Sequence, residues 1–280
     1  YLAMVPRLHI DKKEGIYIGG LFYDGRADSL EQQVEGPSFA HNEMAMSDRT
    51  ELVTKLRKLG YMDAFRKIYG DKALATVELG YRQLTELIAA YERSTELNPF
   101  TSKYDYYLTG KARLSKQERR GLMVFEDEKK GNCAACHPVD PQDDGTRPLF
   151  TDFSYDNLGV PANPNNPFLK LRGKINPKGR KFVDTGLGKT VAKKSEAGKF
   201  RVPTLRNVAI TAPYMHNGVF KTLKEVVDFY NTRDVSKKWH KPEVADNVNK
   251  DELGDLKLTD QEVEDLVVFM KTLTDGYQPK

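Results

Sequence analysis

The sequence has few cysteines, no long apolar run and little net charge, and each shortage excludes a class of protein. No stretch of about 18 consecutive apolar residues occurs, so no segment is predicted to span a membrane. The only two cysteines, Cys133 and Cys136, are too close in sequence to staple a large fold, which excludes a disulfide scaffold. A net charge of +4 is too small for a nucleic-acid-binding footprint.

The composition is that of a folded chain. Hydrophobic residues make up 39% of the 280 positions and charged residues 30%, which is enough for a real core. The length suggests about two domains. Helical periodicity and glycine breakers predict a mostly α-helical protein with long irregular loops, above all between residues 138 and 211. We expect two helical lobes that meet near residue 110, one over 1–110 and one over 111–280.

The two cysteines lie in the sequence Cys133-Ala-Ala-Cys136-His137. A redox dithiol needs only Cys-x-x-Cys, and a structural zinc site needs a second Cys or His pair at similar spacing, which this sequence lacks. A c-type haem needs two thiols for thioether bonds and a histidine immediately after them as iron ligand. The pattern therefore predicts covalent attachment of one haem, with His137 as the proximal ligand.

The flanking sequence agrees with a cytochrome c domain. Ser115–Glu118 and Thr259–Glu262 have the capping-box pattern and open two helices on either side of the cysteine motif. Gly121 in the first helix would allow a second helix to approach closely. The order of a glycine-bearing helix, the haem-attachment motif and a closing apolar helix resembles a cytochrome c fold.

The second axial ligand remains open from these residues alone. Met215, His216, Tyr230 and Met270 lie downstream of the motif. Met270 falls inside the closing helix and is expected to be a core residue, whereas Met215 and His216 lie in a turn that could line the haem pocket.

Three segments resemble one known family. They are residues 20–37 (GLFYDGRADSLEQQVEGP), 200–218 (FRVPTLRNVAITAPYMHNG) and 222–230 (TLKEVVDFY). All three are similar to segments of the bacterial di-haem cytochrome c peroxidase family, including its MauG branch, and the resemblance covers nearly the whole chain. It implies two cytochrome c-like helical lobes with two c-type haems, of which one meets hydrogen peroxide and the other relays electrons, and a calcium ion between them.

The resemblance also assigns the residues of the C-terminal haem. Cys133, Cys136 and His137 match the electron-relay haem, and its distal ligand falls at Tyr230. Peroxidases of the family have methionine at that position, whereas MauG-like members have tyrosine. A phenolate favours ferric and higher oxidation states, so Tyr230 indicates a MauG-like oxidase. Met215 is the alternative ligand.

Other positions match further parts of the family's machinery. Tyr23 matches the aromatic electron relay between the haems, and Thr211 and Pro213 match carbonyl donors to calcium. The distal pocket of the peroxide-binding haem is matched by Gln33, Pro37 and Glu43. A carboxylate such as Glu43 in a low-dielectric pocket could move the proton that O–O cleavage requires, and Gln33 could orient the bound oxygen.

The sequence departs from the family at two points. Ala40 and His41 stand where the family has Asn and Pro, so His41 is expected near the peroxide pocket, as an iron ligand, a proton shuttle or a solvated side chain. Only one Cys-x-x-Cys-His motif is present, and the family's first haem attachment lies upstream of the matching block. We therefore expect a processed or truncated piece of an exported, periplasmic protein, in which a second haem belongs to the intact chain.

Three functions follow as hypotheses. The first is a peroxidase or oxidase of this family, with hydrogen peroxide as substrate and electrons from a partner cytochrome, a cupredoxin or an oxidisable protein side chain. The second is a mono-haem electron-transfer cytochrome without peroxidase activity, and the third is a haem-based sensor or scaffold. Family members are often dimers, so a homodimer is a further expectation. No nucleic-acid partner is expected.

Overall fold

The computed structural model describes residues 1–279 and is mostly α-helical, as the sequence predicts. Over this range the α-helices α1–α10 are, in order, Leu30–Gln33, Glu35–Phe39, Arg49–Lys58, Met62–Tyr69, Val77–Glu92, Lys103–Leu108, Lys116–Glu126, Leu187–Thr190, Leu223–Thr232 and Asp260–Lys271. Short 3-10 helices are Leu2–Met4, Gly70–Lys72, Cys133–Ala135, Pro167–Lys170, Gly179–Lys181, Lys194–Glu196 and Val208–Ile210. Two antiparallel strand pairs join β1 (His9–Ile10) to β2 (Tyr17–Ile18) and β3 (Tyr155–Asp156) to β4 (Phe200–Arg201).

The chain forms two compact units. The first contains Tyr1–Leu8, Gly20–Phe22 and Arg26–Asn98, and the second contains His9–Gly19, Tyr23–Gly25 and the chain from Pro99 onward. Two short N-terminal segments thus pack with the C-terminal part of the chain. The expected boundary between two lobes near residue 110 stays a prediction.

In the first unit, helix α5 packs against α1 and α3. Helix α2 runs through Gly36 and Pro37, although both residue types commonly mark the end of a helix. Proline is tolerated there because the amides of a first helical turn have no partner within the helix. Gly36 is required because a Cβ at this position would lie 2.7 Å from the ring of Phe22.

In the second unit, α7 and α10 form the main helix pair. Gly121 lies where the two backbones meet, and a Cβ there would overlap the carbonyl oxygen of Asp265 and crowd Phe269. The capping boxes predicted at Ser115–Glu118 and Thr259–Glu262 are both present, as is the one at Thr222–Glu225 that opens α9.

Aromatic side chains fill the core between these helices. Phe125, Phe150 and Phe269 are fully buried and contact one another or Tyr104 edge-on, with ring centroids 5.2–5.6 Å apart. Such edge-to-face pairs add stability beyond the burial of apolar area. Phe150 belongs to the irregular segment after the cysteine motif, so the core fixes that segment in place.

The long segment 138–211 is irregular, as expected, but its own polar side chains order it. The buried amide of Asn157 donates to the carbonyls of Val244 and Asp246 at 3.1 and 2.9 Å. The buried amide of Asn176 donates to the carbonyls of Phe168 and Gly179 at 2.9 and 3.0 Å. These bonds supply partners that regular secondary structure would otherwise provide.

Replacing Gly121 by alanine is expected to destabilise the protein by about 3 kcal/mol, because the new methyl group must push α7 away from α10. Met123→Ala on the exposed side of the same helix is the control and is expected to change the free energy of unfolding by less than about 0.5 kcal/mol. Denaturant unfolding of the haem-loaded protein measures both variants. Equal stability of the two would contradict the tight helix crossing.

Candidate functional site

The cysteine motif forms a single tight turn. Asn132 adopts a left-handed conformation with φ 47°, and Cys133–Ala135 then form a 3-10 turn. The amides of Cys136 and His137 both donate to the carbonyl of Cys133, at 3.3 and 2.9 Å. Both thiols are free rather than joined in a disulfide. Two thiols and an imidazole are therefore held within one turn of the chain.

Gly131 joins this turn to helix α7. Its amide donates to the carbonyl of Val124 at 3.1 Å, and a Cβ at this position would overlap that same carbonyl. The thiol of Cys133 donates in turn to the carbonyl of Gly131 at 3.4 Å. Burial raises the pKa of both thiols to about 12, so they remain protonated at neutral pH. Gly131 is absent from the predicted site residues, although a glycine two residues before the motif is visible in the sequence.

The ring of His137 is oriented by a backbone carbonyl. Its Nδ1 lies 2.7 Å from the carbonyl oxygen of Phe150. A carbonyl can only accept, so Nδ1 carries the proton and Nε2 keeps a free lone pair. Burial lowers the pKa of His137, which keeps the ring neutral. A neutral imidazole with one nitrogen fixed and the other free is the arrangement of a metal ligand.

The carbonyl of Phe150 is held in place by its neighbours. Phe150 has φ 52°, a left-handed conformation that is uncommon for a bulky residue. The hydroxyl of Thr204 donates to the carbonyl of Leu149 at 2.5 Å, and Nε of Arg206 donates to the carbonyl of Pro148 at 2.9 Å. Two side chains from the segment 202–206 thus fix the backbone immediately before the carbonyl that orients His137.

Arg206 is itself fixed by a buried ion pair. Its two terminal nitrogens donate to the two carboxylate oxygens of Asp105, each at 2.9 Å, and both side chains are almost fully buried. Burial alone would raise the pKa of Asp105, but the bonds from Arg206 and Ser102 outweigh it and hold that pKa below its usual value. These partners are far apart in sequence, so no local pattern could have predicted them.

Tyr230 in helix α9 lies close enough to the cysteine motif for its phenol to interact electrostatically with the two thiols. Burial raises the pKa of Tyr230, and the nearby thiols of Cys133 and Cys136 raise it further. The residue packs in a cluster around Val160, Phe220 and Phe229. The structure therefore brings together the two thiols and the phenol that the resemblance predicted as a distal ligand.

The two alternative ligands are placed differently. Met215 lies in the same hydrophobic cluster as Tyr230. The ring of His216 stacks on Phe200 with centroids 3.7 Å apart, and its Nε2 lies 3.6 Å from a carboxylate oxygen of Glu243. The Nε2 of His216 is buried and makes no hydrogen bond, so Met215 and His216 both stay alternatives to Tyr230.

The residues predicted for the peroxide pocket lie in the first unit. Gln33 ends α1, and Pro37 in α2 accepts a hydrogen bond from the amide of Met44 at 3.1 Å. That bond folds the turn containing His41 and Glu43 back onto α2, yet both of these side chains are exposed. The described residues of this unit do not form the low-dielectric surroundings expected for Glu43, so its role stays a prediction.

Tyr23, Thr211 and Pro213 complete the predicted set. Tyr23 is 52% exposed, and its carbonyl accepts a hydrogen bond from the amide of Arg201 at 2.8 Å. Thr211 and Pro213 lie in an exposed turn. Within residues 1–279, no three His, Cys, Asp or Glu side chains converge to hold a metal ion, so a calcium site would depend on carbonyl donors.

The residues around the cysteine motif fit a covalently attached haem. Cys133 and Cys136 are both free for thioether bonds, His137 has its Nε2 available, and Tyr230 lies near both thiols. A redox dithiol would need neither the oriented imidazole nor the phenol. Two thiols followed by an oriented imidazole suit a covalently attached haem.

Comparisons with known proteins agree with this donor set. Residues 9–113 match the family model described as di-haem cytochrome c peroxidase, and residues 118–274 match the cytochrome c model. The methylamine utilization protein MauG of Paracoccus denitrificans is 38% identical over the whole chain, which covers 74% of that protein. The cytochrome-c peroxidase IdrP1 of a Pseudomonas species is 32% identical over 92% of the chain and 65% of its own length.

A solved structure is also similar. The diheme peroxidase BthA from Burkholderia thailandensis superposes with a TM-score of 0.80 at 36% identity, over 97% of this chain and 70% of that one. The fold class predicted from sequence is therefore confirmed. In the described part of the chain, no helix has the length and apolar character needed to cross a membrane.

Asp105→Asn is expected to destabilise the second unit by about 3–5 kcal/mol, because it leaves the charge of Arg206 buried without a counter-ion. Asp228→Asn, at the half-exposed end of a surface pair with Lys224, is the control and is expected to cost less than about 1 kcal/mol. Denaturant unfolding at neutral pH compares the two.

The same pair predicts a pH dependence. The folded-state pKa of Asp105 is lowered, so its stabilisation is fully present above the unfolded-state pKa near 3.9 and is lost as the pH falls through the folded value. The difference between Asp105→Asn and the wild type should therefore shrink at acidic pH. A difference that stays constant on acidification would contradict the assignment.

Proposed function

The chain belongs to the di-haem cytochrome c peroxidase and MauG family, and on that premise we propose that it is a MauG-like haem oxidoreductase that reduces hydrogen peroxide. The observation that carries the proposal is the position of Tyr230, near the thiols of Cys133 and Cys136 and buried enough for its pKa to be raised. A tyrosine rather than a methionine at this place distinguishes the MauG-like branch.

Each residue of the motif has a separate task. Cys133 and Cys136 would bind the haem covalently, and His137 and Tyr230 would bind its iron. When bound, the haem supplies a redox-active iron that exchanges electrons. The hydrogen bond from His137 to the carbonyl of Phe150 makes the imidazole a stronger donor, and a phenolate adds negative charge. Both effects stabilise oxidised iron and lower the reduction potential.

The residues of the first unit would act on peroxide. Gln33 would orient hydrogen peroxide, Glu43 would move a proton between the two oxygens of the substrate, and Pro37 would form part of the pocket wall. The described residues leave Glu43 exposed, so this role requires further groups around it. Tyr23 would relay electrons between the two haem sites.

The remaining assignments concern cofactors and partners. We propose one haem c attached to this chain, a second haem in the intact protein, and a calcium ion bound by the carbonyls of Thr211 and Pro213. Electrons would come from a small cytochrome, a cupredoxin or an oxidisable protein side chain. Covalent haem attachment requires export, so the proposed location is the periplasm. A homodimer is part of the same proposal.

A mono-haem electron-transfer cytochrome is the second candidate. One observation favours it, namely the exposed position of Glu43. A haem assay combined with the intact mass of the purified protein separates the two candidates. One haem per chain, with no other segment or chain supplying a second, would favour the electron carrier.

Tyr230→Met is expected to raise the midpoint potential of the low-spin haem, because a thioether favours ferrous iron more than a phenolate does. Tyr230→Phe is expected to change its absorption and electron paramagnetic resonance spectra through loss of the oxygen ligand. Tyr214→Phe, in the same cluster, is the matched control and should leave both properties unchanged. A wild-type spectrum in Tyr230→Phe would indicate Met215 or His216 as ligand instead.

Glu43→Gln is expected to reduce peroxide turnover by about 10²–10⁴-fold, which is the usual contribution of a positioned proton-transfer group. Glu96→Gln, an exposed acid of the same unit, is the control and should retain full activity. Steady-state turnover with a reducing dye measures both. Full activity in Glu43→Gln would remove this residue from the mechanism and support the electron-carrier function.

A further inference from the structure

Arg201 is a buried cation without a counter-ion. It lies in strand β4, and only 5% of its surface is exposed. Its Nε has no hydrogen-bond partner, and its Nη1 makes one long bond of 3.5 Å to the carbonyl of Val202. Among residues 1–279, no Asp or Glu carboxylate lies within ion-pair distance of its guanidinium.

The other buried arginines of the described chain are paired. Arg206 has a bidentate bond to Asp105, and Arg233 binds Asp234 through two nitrogens. Burial lowers the pKa of Arg201, but a guanidinium stays charged at any physiological pH. An unpaired buried charge is strongly unfavourable, so Arg201 requires an anion that the polypeptide does not provide.

Aromatic residues surround this cation. Tyr155 lies opposite Arg201 in the strand pair and donates its hydroxyl to the carbonyl of Gly19 at 2.7 Å. The ring of Phe153 lies 5.9 Å from the guanidinium carbon, and the backbone carbonyl of Tyr23 binds the Arg201 amide. Aromatic rings and the phenols of Tyr23 and Tyr155 thus lie around the guanidinium, which suits a flat group that carries its own carboxylate.

The position of Arg201 ties it to the proposed haem site. The carbonyl of the next residue, Val202, accepts a hydrogen bond from the hydroxyl of Thr151 at 2.7 Å. Thr151 directly follows Phe150, whose carbonyl orients His137. Arg201 therefore directly precedes the residue that is hydrogen-bonded to Thr151, and Thr151 follows the residue whose carbonyl orients His137.

We propose that Arg201 binds a propionate carboxylate of the haem attached at Cys133 and Cys136, an inference that rests on the proposed function. The free Nε–H and an Nη–H of a guanidinium form the fork that matches two carboxylate oxygens. The ion pair neutralises both groups and places positive charge beside the haem. It also joins the haem edge to the backbone of Tyr23, the proposed electron relay.

The test compares Arg201→Met and Arg201→Lys with Arg180→Met, a control at an exposed arginine of the same unit. The haem-loaded proteins are examined for haem content, for the propionate bending band in resonance Raman spectra and for midpoint potential. Arg201→Met should shift the propionate band and lower the potential, because the positive charge that stabilises the reduced haem is lost. Arg201→Lys should shift the band but keep a potential close to that of the wild type.

The outcomes separate this inference from the proposed function. A wild-type protein without covalent haem would overturn both. Full haem content with an unchanged propionate band in Arg201→Met and Arg201→Lys would overturn only the role of Arg201. The true counter-ion could instead be a small free carboxylate. Adding acetate to the dialysed wild type would then move the midpoint potential, while the propionate band would stay unchanged in all variants. This result would also overturn the inference. If Arg201→Met loses its haem, the propionate band of Arg201→Lys decides the test. A shifted band supports the inference, and an unchanged band overturns it.

Discussion

The hydrogen bond between Nδ1 of His137 and the carbonyl of Phe150 is the interaction on which the candidate site depends. It fixes the tautomer of the imidazole, frees Nε2 and sets the direction in which a metal could be bound. The carbonyl cannot turn away, because Phe150 is locked in the core and the backbone before it is held by Thr204 and Arg206. The orientation of a ligand in the cysteine turn thus depends on the irregular segment 204–206, more than 60 residues further along the chain.

Much of the fold could be predicted because its signals are local. Capping boxes involve residues that are three positions apart. Gly121 indicates a close contact between helices, but the sequence does not show which helix is the partner. The N-cap of α3 shows the limit of such signals, since Asp48 fills it although Ser47, one residue earlier, is an equally suitable capping residue. Both side chains can cap a helix, and the choice depends on the incoming backbone direction, which sequence does not display.

The candidate site divides in the same way. The thiols and His137 are contiguous and were predicted from their spacing alone, while Tyr230 followed from a family resemblance and lies near them in space. Asp105, Phe150 and Arg206 were missed, because their contacts join residues tens of positions apart and their residue types are unremarkable in isolation. For Glu43, the resemblance implies a proton-transfer role, whereas the structure shows an exposed side chain. Its function must therefore be decided by measuring peroxide turnover.

The path of the chain has a consequence for any attempt to separate its two compact units. Residues 9–19 and 23–25 pack with the later unit although they precede most of the earlier one. A gene fragment that starts at Pro99 would therefore encode a unit without Tyr23, and without the carbonyl that completes the backbone bonding of Arg201. Cutting the chain before Pro99 would therefore remove part of the second unit's own packing, so the second unit cannot be isolated there without loss.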